Sequence, residues 1–354
     1  MTTLLVVNVS MSEKSMLFSH QQKAVHELSK HFLSTVVLTR EISNKYKNTN
    51  IKIVKVPWKR KRPVRNSISL MRKAMPILSN STNLVVFTHM SDSMAAVLSP
   101  ITRFFGINHY LWYAHKKKSL YLRFAYLFLN GIITSTPGSC PFHGQKIFSV
   151  GQGIDISAFK GSFNNSSEIG RTNFFNYGRL DKSKRIDLLI EVIERLRESL
   201  PNLTLTFFGE TASKDRTWLQ KMESLKQLSI DRSYLNFYPP IEHENIVDKF
   251  GSFDIFIHAF AGSLDKTLLE ATLLKKPVVT CNPEYLSIFG SWSKNEPCNL
   301  DDLHFLTSEI EAILRLPDDT LDIELVRRFR EVISNHSLEG WAERISRQLL
   351  SKVN

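Results

Sequence analysis

Apolar residues along this chain fall into two kinds of run. Short strand-like runs alternate with longer helical patterns, the first series being LLVVNV (4–9), IKIVKV (51–56), LVVFTH (84–89), GIITS (131–135) and KIFSV (146–150). A second series follows with TNFFNYG (172–178), LTLTFFG (203–209), YLNFY (234–238), FDIFIH (253–258) and PVVTC (277–281). Between them lie amphipathic stretches, the clearest placing Ile186, Leu189, Ile190, Ile193 and Leu196 on one helical face. Strand–helix alternation of this kind predicts parallel sheets with helices on both faces. The stretch GSFNNSSEIG (161–170) is polar, small and helix-poor, and reads as a linker between two such sets. The expected architecture is α/β: two doubly wound, Rossmann-like domains facing a cleft, residues 1–165 and 166–336.

The longest apolar stretch, 120–133, carries Arg123 and Asn130 and falls short of the roughly 20 residues a membrane span needs. Leu120, Leu122 and Phe124 within it are read as core residues, with contact to a membrane interface as the alternative. The run at 4–9 has no basic lead-in and is too short for the core of a signal peptide, so it reads as a buried strand. Hydrophobic residues at 42% against 23% charged allow two folded cores. Cys140, Cys281 and Cys298 stand far apart without ligand spacing, which suits free thiols in a reducing compartment and speaks against metal ligation.

Charge changes the picture more. The net charge is +12, and residues 1–170 hold 22 Lys and Arg against 6 Asp and Glu, while the remainder holds 24 against 28. Only the first half is therefore expected to face a polyanion. Its densest segments are WKRKRPVR (58–65), with Lys59, Arg60, Lys61 and Arg62, and HKKKS (115–119), with Lys116, Lys117 and Lys118. Anionic lipid headgroups, a phosphate-bearing acceptor and nucleic acid are the candidate partners. A nucleic-acid binder would interleave basic and aromatic residues on a recognisable module, and no such module is found.

Two segments carry candidate chemistry. NYGRLDKSKRIDLLI (176–190) takes a strand ending at Gly178 through a turn into a helix, and ligands of open α/β sheets bind beyond such carboxyl ends. Arg179 and Lys184 flank that end, where two cations and helix amides suit a diphosphate. In SLDKTLLEATLLKKPVVT (263–280), Glu270 sits on a helix between two strands, placed to accept hydroxyls of a ribose.

Together these segments resemble the retaining glycosyltransferases of family 4, which have the GT-B fold. Gly178, Arg179, Leu180 and Lys184 match the first motif of that family; Glu270, Ala271, Pro277, Val278 and Val279 match the second. The resemblance implies that Arg179 and Lys184 hold the donor diphosphate and neutralise the departing nucleotide, and that Glu270 binds the ribose. In the first half, YLWYAHKKKS places His115 just beyond a strand, near a family histidine that points at sugar or acceptor; His89 and His258 also end strands. GQGID (151–155) resembles the segment before the family's linker, and SLEGWAERISRQLL (337–350) resembles its terminal helix, implying that 337–354 packs back on the first domain.

The departures are specific. The first glutamate of the paired-glutamate motif, which faces the donor sugar in relatives, is Gly262 here, leaving Asp265 and Lys266 as the nearest polar donor-side residues. The early glycine pair is replaced by a segment containing Ser12, Ser15 and His20. The expected activity is hexosyl transfer from a nucleotide sugar to a lipid-linked or surface-polysaccharide acceptor. It needs no cofactor or metal and takes place in the cytoplasm, peripherally on the inner face of the cell membrane. A sugar-nucleotide epimerase of the same fold, or a non-catalytic nucleotide-sugar-binding relative, is the alternative.

Overall fold

Strand and helix alternate as the pattern predicts in a computed structural model, which describes residues 2–12, 19–42, 50–59, 61–80, 83–159, 171–211, 213–294 and 301–351. The chain divides into two units, Met1–Gly153 with Asn335–Asn354, and Ile154–Ser334. Arg60, Ser15, Cys298 and the expected linker at 161–170 lie outside the described residues.

The first unit contains β1 (Thr3–Met11), α1 (Ser19–Ser29), β2 (Ser34–Ile42), β3 (Ile51–Lys55), α2 (Pro63–Asn80), β4 (Leu84–His89), α3 (Asp92–Phe104), β5 (Asn108–Trp112), α4 (Leu120–Phe128), β6 (Gly131–Thr134) and β7 (Ile147–Ser149). Its strands form one sheet in the order β3-β2-β1-β4-β5-β6-β7, every pairing parallel. Side chains of a strand alternate between faces, and β1 shows it directly. Leu4 and Val6 pack with Val25 and Leu28 of α1; Leu5 and Val7 pack with Leu70 of α2 and Met94 of α3. Both faces are covered, which is why the run at 4–9 is continuously apolar rather than alternating. β2 was not expected from the pattern: its apolar centre is only Val36, Val37 and Leu38, flanked by threonines and Arg40.

The second unit contains β8 (Asn173–Tyr177), α5 (Ile186–Arg197), β9 (Thr204–Phe208), α6 (Arg216–Asp231), β10 (Leu235–Tyr238), α7 (Ile246–Phe250), β11 (Ile255–His258), α8 (Lys266–Leu273), β12 (Val278–Thr280), α9 (Pro283–Phe289) and α10 (Asp302–Arg315). The helix α11 (Asp318–His336) follows, and α12 (Leu338–Leu350) ends the described fold. The second sheet runs β10-β9-β8-β11-β12, again all parallel. One core joins Phe174, Leu205 and Ile257 to the predicted apolar stripe of α5; the other joins Phe175, Phe208 and Phe256 to Leu268 and Leu269 of α8. Trp341, Ile345 and Leu349 of α12 enter the core of the first unit beside Leu4 and Phe87.

The core reading of the stretch at 120–133 needs correcting in part. Leu122 is fully buried, but Leu120 is 81% and Phe124 48% exposed.

Candidate functional site

Each sheet has the strand order in which the winding reverses beside its first strand, between β1 and β4 and between β8 and β11. Crevices at that switch point, beyond the strand carboxyl ends, are where open α/β sheets take ligands. In the second unit the two ends are Tyr177 followed by Gly178, and His258 followed by Ala259.

Gly178 holds φ +123, a conformation that favours glycine. Its carbonyl passes so close to the next strand end that a Cβ on Gly209 would lie 1.8 Å from it. The chain then turns through a short 3-10 segment, Lys182–Lys184, and Arg185 in the left-handed region starts α5. This turn carries Arg179 outward, 56% exposed and 3.1 Å from Asp181, and carries Lys184 inward. The Lys184 ammonium meets the Asp265 carboxylate and lies 4.4 Å from the centre of the Phe260 ring.

Asp265 is the N-cap of α8 and accepts from the Thr267 amide at 3.3 Å. Its other oxygen, beside Lys184, is 3.3 Å from Nε2 of His258. Burial opposes ionisation of Asp265, but Lys184 and His258 outweigh it and hold the carboxyl well below its usual range. Burial, joined by the Lys184 charge, lowers the His258 pKa against the pull of Asp265. A neutral His258 donating from Nε2 can accept at Nδ1 from the Thr280 hydroxyl, 3.5 Å away.

Glu270, one turn further along α8, belongs to a second network. Tyr177 donates its hydroxyl to Oε2 at 2.9 Å, and His243 Nε2 stands 3.4 Å from Oε1. Burial and the neighbouring carboxylate push the tyrosine pKa well up, so it remains a donor. Both carboxylate oxygens are thus oriented while each keeps a lone pair for a further hydroxyl.

In the loop at 259–265 the space beside Gly262 is filled by a neighbouring ring. The Phe260 ring folds back over Gly262, so that a Cβ there would sit 2.0 Å from its Cζ. Asn282, wholly buried at the end of β12, pins this loop by donating to the carbonyls of Phe260 at 2.8 Å and Ser263 at 3.1 Å. The structure therefore gathers Lys184, Asp265 and Glu270 with Tyr177, His258, Phe260 and Asn282. Lys266 opens α8 beside them, while Arg179 points to solvent. Sequence reasoning missed Tyr177, Phe260, Asn282 and His243. Tyr177 precedes the glycine of the first motif and was within reach of the pattern; His243 carries no sequence signal.

In the first unit, His89 is buried among the rings of Phe87, Trp112 and Trp341, as a core residue. His115 is exposed, three residues beyond β5, and its Nδ1 accepts from the Lys117 amide at 2.9 Å. Tyr113 steadies the same turn by donating to the Lys117 carbonyl at 2.7 Å. Lys116, Lys117 and Lys118 are exposed on it. The other basic turn, with Lys59, Lys61 and Arg62 exposed, is tied to α2 by paired hydrogen bonds between the Lys59 backbone and the Asn66 amide. The two turns follow β3 and β5, on the same rim of the sheet but four strand spacings, or about 19 Å, apart.

Residues 162–288 match the family described as "Glycosyl transferases group 1". No curated protein matches the chain in sequence. Solved structures match it along nearly its whole length at low identity. A glycosyltransferase from Rickettsia africae superposes with a TM-score of 0.69 at 13% identity, covering 99% of each chain. The N-terminal domain of trehalose-6-phosphate phosphatase from Candida albicans gives 0.75 at 12%, covering 99% of this chain and 97% of its own. HepE from Anabaena, in complex with UDP-glucose, gives 0.72 at 11%, covering 99% and 100%. The chain has the GT-B fold. Both switch points belong to that fold, and the family match covers the second of them.

Proposed function

We propose that the protein is a glycosyltransferase that takes a sugar from a nucleotide-sugar donor, with retention at the anomeric carbon, onto a lipid-linked or surface-polysaccharide acceptor. The observation carrying this reading is that Lys184 and Glu270 converge at the β8–β11 switch point inside the segment matching glycosyl transferases group 1. Lys184, Arg179 and the amides following Gly178 are assigned to the diphosphate, and Glu270 to the ribose. In transfer, the bond from the anomeric carbon to the diphosphate oxygen breaks and its electron pair leaves on the diphosphate, while an acceptor hydroxyl oxygen bonds to the anomeric carbon on the same face and gives its proton to the departing diphosphate. Cationic side chains and the α8 amino end stabilise that charge as it develops. His115 and the two basic turns are assigned to the acceptor. A nucleotide-sugar-binding relative without transfer is the second reading, favoured by the Phe260 ring lying where a side chain on residue 262 would project.

Thermal-shift titration with UDP, GDP and ADP and their sugar conjugates tests the assignment, because a ligand of the native state stabilises it by mass action. One nucleotide series should raise the melting temperature, and Glu270→Ala should weaken that response about tenfold while leaving the unliganded transition cooperative. A full response in Glu270→Ala would remove the ribose role. Transfer, once a donor is found, should proceed unchanged in EDTA. Its loss there, with recovery on adding magnesium or manganese, would mean that a metal rather than Lys184 carries the leaving charge.

A further inference from the structure

The helix α4 is apolar on both faces. Its inward stripe, Leu122, Ala125 and then Leu129, is buried against Ala95, Ala96 and Ile132. The opposite stripe turns Leu120, Phe124 and Leu127 outward at 81%, 48% and 70% exposure, with Tyr121 beside them. At the end of the neighbouring helix α3, Phe104 is also exposed. A surface helix ordinarily places polar residues there, and a contiguous apolar patch marks a surface that meets something else.

Basic residues flank the stripe. Lys116, Lys117 and Lys118 are exposed on the turn leading into α4, Arg123 is exposed within it, and Arg103 is exposed next to Phe104. No Asp or Glu occurs between Asp92 and Asp155. Asp92 itself is engaged by the Ser119 hydroxyl, which joins the amino ends of the two helices. An outward apolar stripe with basic flanks is the chemistry of a helix lying in a lipid interface. Lysines at an anionic surface add attraction within about a Debye length. Among the described residues no helix is long and apolar enough to cross a membrane, so contact would be with the surface.

We infer that α4 and the lysine turn before it form a docking face for an anionic lipid surface. The face lies in the first unit and is independent of what the second unit binds. Docking through it requires the outward leucines and phenylalanine as well as the lysines.

Flotation with vesicles of phosphatidylcholine, with and without phosphatidylglycerol, tests it at low and high salt. The protein should float with the anionic vesicles, weaken as salt rises, and stay largely unbound with neutral ones. Leu120→Ser with Phe124→Ser and Leu127→Ser should cut the partition about tenfold or more at unchanged helicity. Lys116→Gln with Lys117→Gln and Lys118→Gln should remove the salt-sensitive part. Leu127→Glu alone serves if the triple serine variant loses helicity. Equal flotation of the apolar variants, or none of the wild-type protein, overturns the inference. A dimer in light scattering that Leu127→Glu converts to monomer would also overturn it, giving the face to a second copy of the chain.

Discussion

Lys184→Ala should lose nucleoside diphosphate binding by about 10- to 150-fold, the 1.5–3 kcal/mol of a hydrogen bond to a charged group. The same substitution should also destabilise the fold, because Asp265 is left ionised and largely buried without its cation. Removing one partner of such a pair costs about 3–5 kcal/mol, whereas removing both is close to neutral. The two effects separate in Lys184→Met combined with Asp265→Asn, which should recover stability in denaturant titration while calorimetry still finds the nucleotide site lost. Asp265→Asn alone should act in the opposite direction on binding. The Asp265 carboxylate pairs with Lys184, so a diphosphate bound by Lys184 must share or displace it. Removing that internal anion should tighten nucleoside diphosphate binding several-fold. Undiminished affinity in the double variant would place the diphosphate elsewhere.

This pair also shows where sequence reasoning stops. Lys184 and Glu270 were legible because motif spacing fixes their place after a strand and on a helix. That Asp265 answers Lys184 was not, since the partners lie 81 residues apart and meet only through the pairing of β8 with β11. Gly262 was legible as a departure, but not that the Phe260 ring lies over it, in a loop whose carbonyls Asn282 holds from beyond a third strand. The stretch at 120–133 failed for a different reason. Leu120, Phe124 and Leu127 recur at helical spacing, and so do Leu122, Ala125 and Leu129, so periodicity could not choose the buried face. β2 escaped because three central apolar residues between polar ones give a weak strand signal. The candidate site was therefore readable as positions, and its charge balance only as geometry.

Stability should begin to fall on acidification near pH 6.5, above the range in which carboxylates titrate. Two buried histidines of the first unit are responsible. His109 is fully buried, with the Thr88 hydroxyl 2.8 Å from Nε2 and the Thr102 hydroxyl 3.1 Å from Nδ1; burial drives its pKa down to about 3. His336 accepts from the Gln152 amide at 2.9 Å through Nδ1, and burial, with Arg344 nearby, lowers its pKa to about 4. Both are therefore neutral in the native protein at pH 5, while the unfolded chain protonates them near 6.5. Below that pH the unfolded state binds more protons, so stability is fully present above 6.5 and is lost as pH falls toward the native values. At about 1.4 kcal/mol for each pH unit between the two pKa values, His109 accounts for roughly 5 kcal/mol and His336 for roughly 3 kcal/mol by the time both are charged. Losses of that size approach the whole stability of an ordinary domain, so the first unit should be progressively destabilised as pH falls from 6.5 toward 3. Urea titrations between pH 7.5 and 4.5 would show the unfolding free energy level above 6.5 and falling below it, with about one proton taken up by each of these two histidines near pH 5. His109→Gln, which keeps one donor and one acceptor between the two threonines, should be less stable at pH 7.5 yet show a shallower acid slope. A slope that the substitution leaves unchanged, or stability that is flat down to pH 4.5, would mean that His109 is solvated and titrates normally in the native protein.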